Sequence, residues 1–255
     1  MEIESREPGS LKTKSKPRGV VTKRDAKACL WVCEQGVMTV DQLWRAVWWS
    51  DASRGPRYAY ERVLFLERSG FLVRTETPYS LKSYFRATRL AQELASTCGE
   101  GSGLIPLASP ALNEIPHADQ LTELRLRVLK AGRYTSWRPD RVLVIDPTFP
   151  RERFYGLVPD AIWTTLSGKR IAVEYERTRK GISRVRLKVE AFSREIARPD
   201  RAMDLVLWIA SGGAHQDLKT VLTSHPAQRL RTFEEFQAEL SHEQDPKSGP
   251  SETIQ

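Results

Sequence analysis

Three carboxylates carry the chemistry that this sequence offers most openly. Asp160 follows Pro159 in an apolar run, and fourteen residues later Glu174 and Glu176 stand two apart in the segment Lys169 to Glu176. A spacing of two in an extended segment places both glutamates on one face of a sheet, so the three acids can converge. Oxygen ligands of this kind suit a hard divalent cation such as Mg2+ or Mn2+, which activates water and steadies the charge that builds on a phosphodiester in hydrolysis. The chain continues at once with Arg177, Thr178, Arg179 and Lys180, which would put phosphate contacts beside those acids. The same residues allow a plainer arrangement, in which the acids are solvated or paired with Arg177, Arg179 and Arg184 at the sheet ends.

Four strands are expected to carry this constellation: Arg141–Ile145, Leu157–Trp163, Lys169–Glu176 and Met203–Ala210. A helix over His117–Lys130, ending at Gly132, precedes them, and a helix over Ile182–Ile196 separates the third from the fourth. Helix, three strands, helix, strand predicts a mixed sheet flanked by helices. Ser211-Gly-Gly should turn into a short helix over Asp217–Ser224, with a last strand at Arg229–Phe233 and a Glu-rich helix to Leu240. His215 and His225 fall in loop-like contexts without a nucleophile nearby in sequence.

The first hundred residues read differently. Residues 1–19 form a basic arm without apolar periodicity. Thr22 caps a helix with an apolar stripe of Ala26, Cys29, Leu30 and Cys33 that ends at Gly36, and Thr39 caps a second with Leu43, Ala46 and Val47 inward. After a polar turn over Ser50–Pro56, a third helix carries Tyr60, Val63, Leu64 and Leu66 up to Ser69-Gly70. Phe71–Arg74 and Tyr84–Arg86 flank a Pro78 turn, and a further helix runs over about Thr88–Ser96. Trp44, Trp48 and Trp49 on the second helix suit a core or a dimer face better than a base-stacking platform.

This order resembles the winged-helix class, including the run Leu66-Glu-Arg-Ser-Gly-Phe-Leu72 from the third helix into the wing. The resemblance implies a third helix in the major groove of duplex DNA, with Arg54, Arg57 and Arg62 on phosphates or base edges and Lys82 and Arg86 supporting them from the wing. Likewise Pro159-Asp160 with Glu174-Tyr-Glu176 resembles the PD-(D/E)xK nuclease signature, in which Asp160 and Glu174 would bind metal. Glu176 stands where that family usually has Lys, and Lys180 or Lys188 on the following helix would then take the lysine's part. The family also often places an acid on its first helix, here Glu123. Together the two halves are similar to the replication-relaxation family of bacterial mobile-element proteins. That resemblance implies action at plasmid, phage or integrated-element DNA, with a relaxase or another replication or transfer protein, or a second copy of the chain, as further partners.

Composition bounds these expectations. The chain has 255 residues, 40% hydrophobic and 28% charged, enough for two modest domains, and a net charge of +8. Residues 12–97 hold 16 Lys and Arg against 8 Asp and Glu, so this third accounts for the whole excess, as phosphate-backbone binding requires. The expected organisation is a mixed α+β or α/β chain: arm 1–19, winged helix 20–97, Gly-, Ser- and Pro-rich linker 98–116, nuclease-like domain 117–240, and polar tail 241–255. Without a run of 18 apolar residues or a leader-like segment, a cytoplasmic protein is expected. Cys29, Cys33 and Cys98 read as reduced thiols, since they and four scattered histidines give no familiar zinc spacing. Two functions stand side by side: a DNA-binding factor on a nuclease scaffold without activity, and an active Mg2+-dependent endonuclease. An RNA-binding regulator has less support, because no aromatic sheet motif for stacking single-stranded bases is present.

Overall fold

The computed structural model describes residues 19–50, 55–98, 105–154 and 156–242. The N-terminal unit is built of α1 (Lys23–Gln35), α2 (Val40–Leu43), a π-helical turn (Trp44–Trp48), α3 (Pro56–Arg68), a hairpin of β1 (Leu72–Thr77) and β2 (Ser80–Ala87), and α4 (Arg89–Ser96). Local chemistry fixes the first two helices. Thr22 and Asp25 form a reciprocal capping box at α1, and Thr39 and Gln42 form another at α2. Cys29, Leu30, Val32, Leu43, Val63, Leu66, Leu72 and Phe85 meet in one core.

The second unit contains α5 (Ile115–Lys130), β3 (Tyr134–Pro139), α6 (Asp140–Ile145), β4 (Ala161–Thr165), β5 (Arg170–Glu176), α7 (Ile182–Ile196), β6 (Leu205–Ala210), α8 (Gly212–Leu222), β7 (Gln228–Arg231) and α9 (Phe233–His242). Its five strands pair in chain order, with β3, β4 and β5 antiparallel and β5, β6 and β7 parallel. Helices α7 and α8 connect the parallel pairs. Every residue of β6, and all of β5 after Arg170, is buried, because helices cover both faces. Phe192 and Leu218 pack on one face with Trp208, while Leu124, Phe236 and Leu240 pack on the other with Leu207. The fold is therefore mixed α and β with two sheets.

Two expectations are corrected. Arg141–Ile145 is helical, and the first strand is Tyr134–Pro139. Val142 and Leu143 are buried while Val144 and Ile145 are 43% and 44% exposed, a one-turn pattern that a four-residue apolar run cannot announce. Helix α8 starts at Gly212, five residues before the expected Asp217, because the extended Ser211 is its N-cap and the two glycines form its first turn.

The two units are packed together. Val37 and Tyr84 share an apolar cluster with Ile115 and Ala118 of α5, and Leu126 of α5 belongs to the N-terminal core. A polar seam borders this contact: Gln42 donates to Asp119 Oδ1 at 2.7 Å, Lys82 Nζ lies 2.8 Å from Asp119 Oδ2, and Arg125 pairs with Glu34 at 2.6 Å. Gly36 closes the seam. Its φ of +80° needs glycine, and a Cβ there would meet Arg141 and Pro110 at 2.7 and 2.8 Å. Residues 105–114 hold no helix or strand, yet Gln92 donates to the Ile105 carbonyl and Thr77 to that of Leu112, tying the segment to the N-terminal unit. Among the described residues no helix is long and apolar enough to cross a membrane.

Candidate functional site

The strand alternation of β5 sends Glu174 and Glu176 toward α7 and Tyr175 to the opposite layer, and all three are buried. Asp160 lies just before β4, whose Ala161 pairs with Val173, so its carboxylate reaches the end of β5 and accepts the Tyr175 N–H at 2.8 Å. Two turns into α7, Lys188 places Nζ 2.5 Å from Glu174 Oε2. Lys180, at the entrance to α7, holds both oxygens of Glu176 at 2.8 and 2.7 Å. His117, in the first turn of α5, brings Nε2 to 3.4 Å from Asp160 Oδ1. Asp160, Glu176, His117, Lys180 and Lys188 line a cleft of about 480 Å³ between the two units, shared with Glu34, Asp140, Arg141, Arg177 and Arg184, while Glu174 lies buried behind Lys188.

Electrostatics in this cleft follow from burial and close charges. Burial pushes the Glu174 carboxyl well above the usual carboxylate range, while the surrounding Glu174, Asp160 and Glu176 outweigh desolvation and hold Lys188 protonated. Asp160 is lowered despite burial by the His117 hydrogen bond and the Lys188 charge. Burial alone would lower His117, but Asp160 turns the balance and raises it. For Asp140, burial and the Asp160 charge raise the carboxyl.

A raised folded pKa contributes stability below the unfolded value of about 6.5 that is lost as pH rises through the folded one. In an NMR titration the His117 imidazole should therefore have its midpoint above 6.5, the ordinary value. In Asp160→Asn it should drop below that value, since desolvation then acts without its counterweight. An identical midpoint in both proteins would show that the pairing is not made.

The remaining sequence candidates are scattered. Arg54 lies outside the described residues. Arg57 on α3 is 92% exposed at the side chain, with only Glu61 one turn away at 3.3 Å. Arg62 turns inward onto the buried Asp25, and Lys82 is spent on Asp119. Arg86 is half-buried on β2, with its Nε enclosed and unpartnered. Arg179 pairs with Asp217, whereas Arg177 and Arg184 are exposed and make no ion pair among the described residues. Glu123 does not join the carboxylates: it faces the N-terminal unit, where Arg45 and Gln42 hold it. His117 and Asp140 are the members that sequence reasoning passed over. His117 sat in the first turn of an ordinary helix, and Asp140 next to a misread strand.

Whether the acids suit a divalent ion is decided by their oxygens. Five of the six carboxylate oxygens of Asp160, Glu174 and Glu176 already face His117, Tyr175, Lys188 or Lys180, so a cation there would compete with those groups, and Glu174 Oε1 is buried and without a partner. Mg2+ demands near-octahedral oxygen ligation. Among the described residues no group of three His, Cys, Asp or Glu side chains is placed to hold a metal ion. The arrangement does not fit the ion that the sequence suggested. Comparison of the chain with protein-family models, with curated proteins and with solved structures finds no match.

Proposed function

We propose that this chain is a cytoplasmic duplex-DNA-binding protein of a mobile element, a winged helix joined to a PD-(D/E)xK-like domain in which ion pairs stand where a catalytic metal would. One observation carries this reading: each acid of the motif is closed by a basic side chain of the same chain, Lys188 on Glu174, Lys180 on Glu176 and His117 on Asp160. The two lysine ammonium groups offset the charge of the acids, so the floor of the cleft repels a polyanion less than three free carboxylates would. At its mouth Arg177 and Arg184 remain exposed for phosphate oxygens. Three helices followed by a hairpin, with Arg57 exposed on the third beside Glu61, support a second contact through α3.

Two measurements test this. Replacing Arg177 and Arg184 together by Ala should weaken duplex binding and reduce the slope of log affinity against log salt by about 2, close to one per lost phosphate contact. An unchanged slope would remove the cleft mouth from the DNA surface. Supercoiled plasmid incubated with Mg2+ or Mn2+ should stay uncut. Nicking that Asp160→Ala and Glu174→Ala both abolish would replace this reading by an endonuclease working through Asp160, Glu174, Glu176 and Lys188.

A further inference from the structure

A second cavity, of about 570 Å³, opens on the other side of the unit junction between α1, the π-helical turn and α5. Its volume is in the range of pockets that enclose a small organic ligand. The π-helical turn and the residue that follows it present three tryptophans to three environments: Trp48 is buried, Trp44 is half-buried, and Trp49 is 53% exposed at the cavity wall. Trp44 meets Trp49 edge-on with ring centroids 5.1 Å apart, which fixes the angle of the exposed indole. Widened π turns of this kind recur at functional sites.

The polar groups around that ring are cationic. Lys130 Nζ lies 5.7 Å from the Trp49 centroid, and Arg127 is held over Phe233 at 4.7 Å with its Nε enclosed and without a hydrogen-bond partner. The one acid of the wall, Glu123, is neutralised by Arg45 and hydrogen-bonded by Gln42, which hold its pKa below the usual range against the cost of burial. A flat aromatic surface with an ammonium over it and a guanidinium in the same wall selects for a planar ring bearing negative charge. We infer that this cavity is a binding site for a small planar aromatic anion, its ring against Trp49 and its carboxylate or phosphate on Lys130 and Arg127. Because the wall is drawn from both units, occupancy would also clamp them together and raise the midpoint of thermal unfolding. Nothing in this inference depends on DNA binding.

The test is isothermal titration of the full chain with 2-naphthoate, with AMP, and with their neutral counterparts 2-naphthol and adenosine. Binding of at least one anion is expected, which also tells carboxylate from phosphate. Trp49→Ala and Lys130→Ala should each weaken it about tenfold. The neutral compounds should bind more weakly by a similar factor. Both substituted side chains are exposed enough for the variants to fold, and Lys130→Glu gives a second readout by charge reversal if Trp49→Ala does not. Failure of both anions to bind at about 1 mM, equal binding of the neutral compounds, or indifference to Lys130→Glu would overturn the site.

Discussion

Lys188→Met is expected to destabilise the protein by about 3 to 5 kcal/mol, because it strands a buried carboxylate that has no other partner. Glu174 is fully buried, and among the described residues its Oε2 is bonded only by Lys188 and its Oε1 by nothing. A methionine of similar length keeps the packing against Phe192 while deleting the charge. Adding Glu174→Gln should recover a large part of the loss, since the pair is then removed together. Recovery is incomplete because Asp160 and Glu176 also face the ammonium. The pH dependence gives an independent check. Burial already raises Glu174, and loss of Lys188 raises it further, so its folded pKa stands above its unfolded one. Such a group favours the fold below the unfolded pKa and ceases to do so as pH rises through the folded value. The Lys188→Met penalty, measured by urea unfolding against wild type, should therefore be smaller near about pH 5 than near about pH 8, and Glu174→Gln should erase the difference. Equal penalties at both pH values would mean that Glu174 is not the group left stranded.

How far the sequence carries depends on the range of the interaction. Helix α7 is legible end to end over Ile182–Ile196, and the caps at Thr22 and Thr39 act over three residues. β5 and β6 announce themselves as apolar runs bounded by polar residues. The first strand does not, because Val142-Leu-Val-Ile145 is equally good as one turn of buried helix, and Tyr134–Pro139 mixes aromatic, polar and basic residues. Within the site, the two-residue spacing places Glu174 and Glu176 on one face, and Lys188 falls fourteen residues on, within reach of a following helix. What closes the remaining acids could not be read. His117 reaches Asp160 across 43 positions, and Arg45 reaches Glu123 across 78. For the same reason the basic excess of residues 12–97 overstates the surface open to phosphate: Arg45, Arg62 and Lys82 are spent inside the protein or on the seam between its units.

Arg62→Ala separates the two roles that the third helix offered, and it should register as a folding defect of about 3 kcal/mol rather than as lost DNA affinity. Arg62 donates through Nε at 3.1 Å and through Nη2 to the two oxygens of Asp25, which is fully buried, and it also reaches the Val20 carbonyl at 3.3 Å. Its guanidinium lies over Phe65 at 4.4 Å. Asp25 keeps its bonds from the Thr22 amide and hydroxyl when Arg62 is gone, so the capping box survives and the loss comes from an uncompensated charge in the N-terminal core. Arg62→Lys should restore little, since one ammonium cannot reproduce a two-pronged contact. Arg57, on the same helix and almost wholly exposed, should behave in the opposite way. Arg57→Ala should leave the unfolding midpoint unchanged and weaken binding uniformly across DNA sequences if its contact is to phosphate. The crossed pattern, read from denaturant unfolding and from DNA affinity per folded molecule, is the measurement. Were Arg62→Ala to fold as well as wild type and bind DNA poorly, α3 would present Arg62 to the duplex and the Asp25 pairing would have to be abandoned.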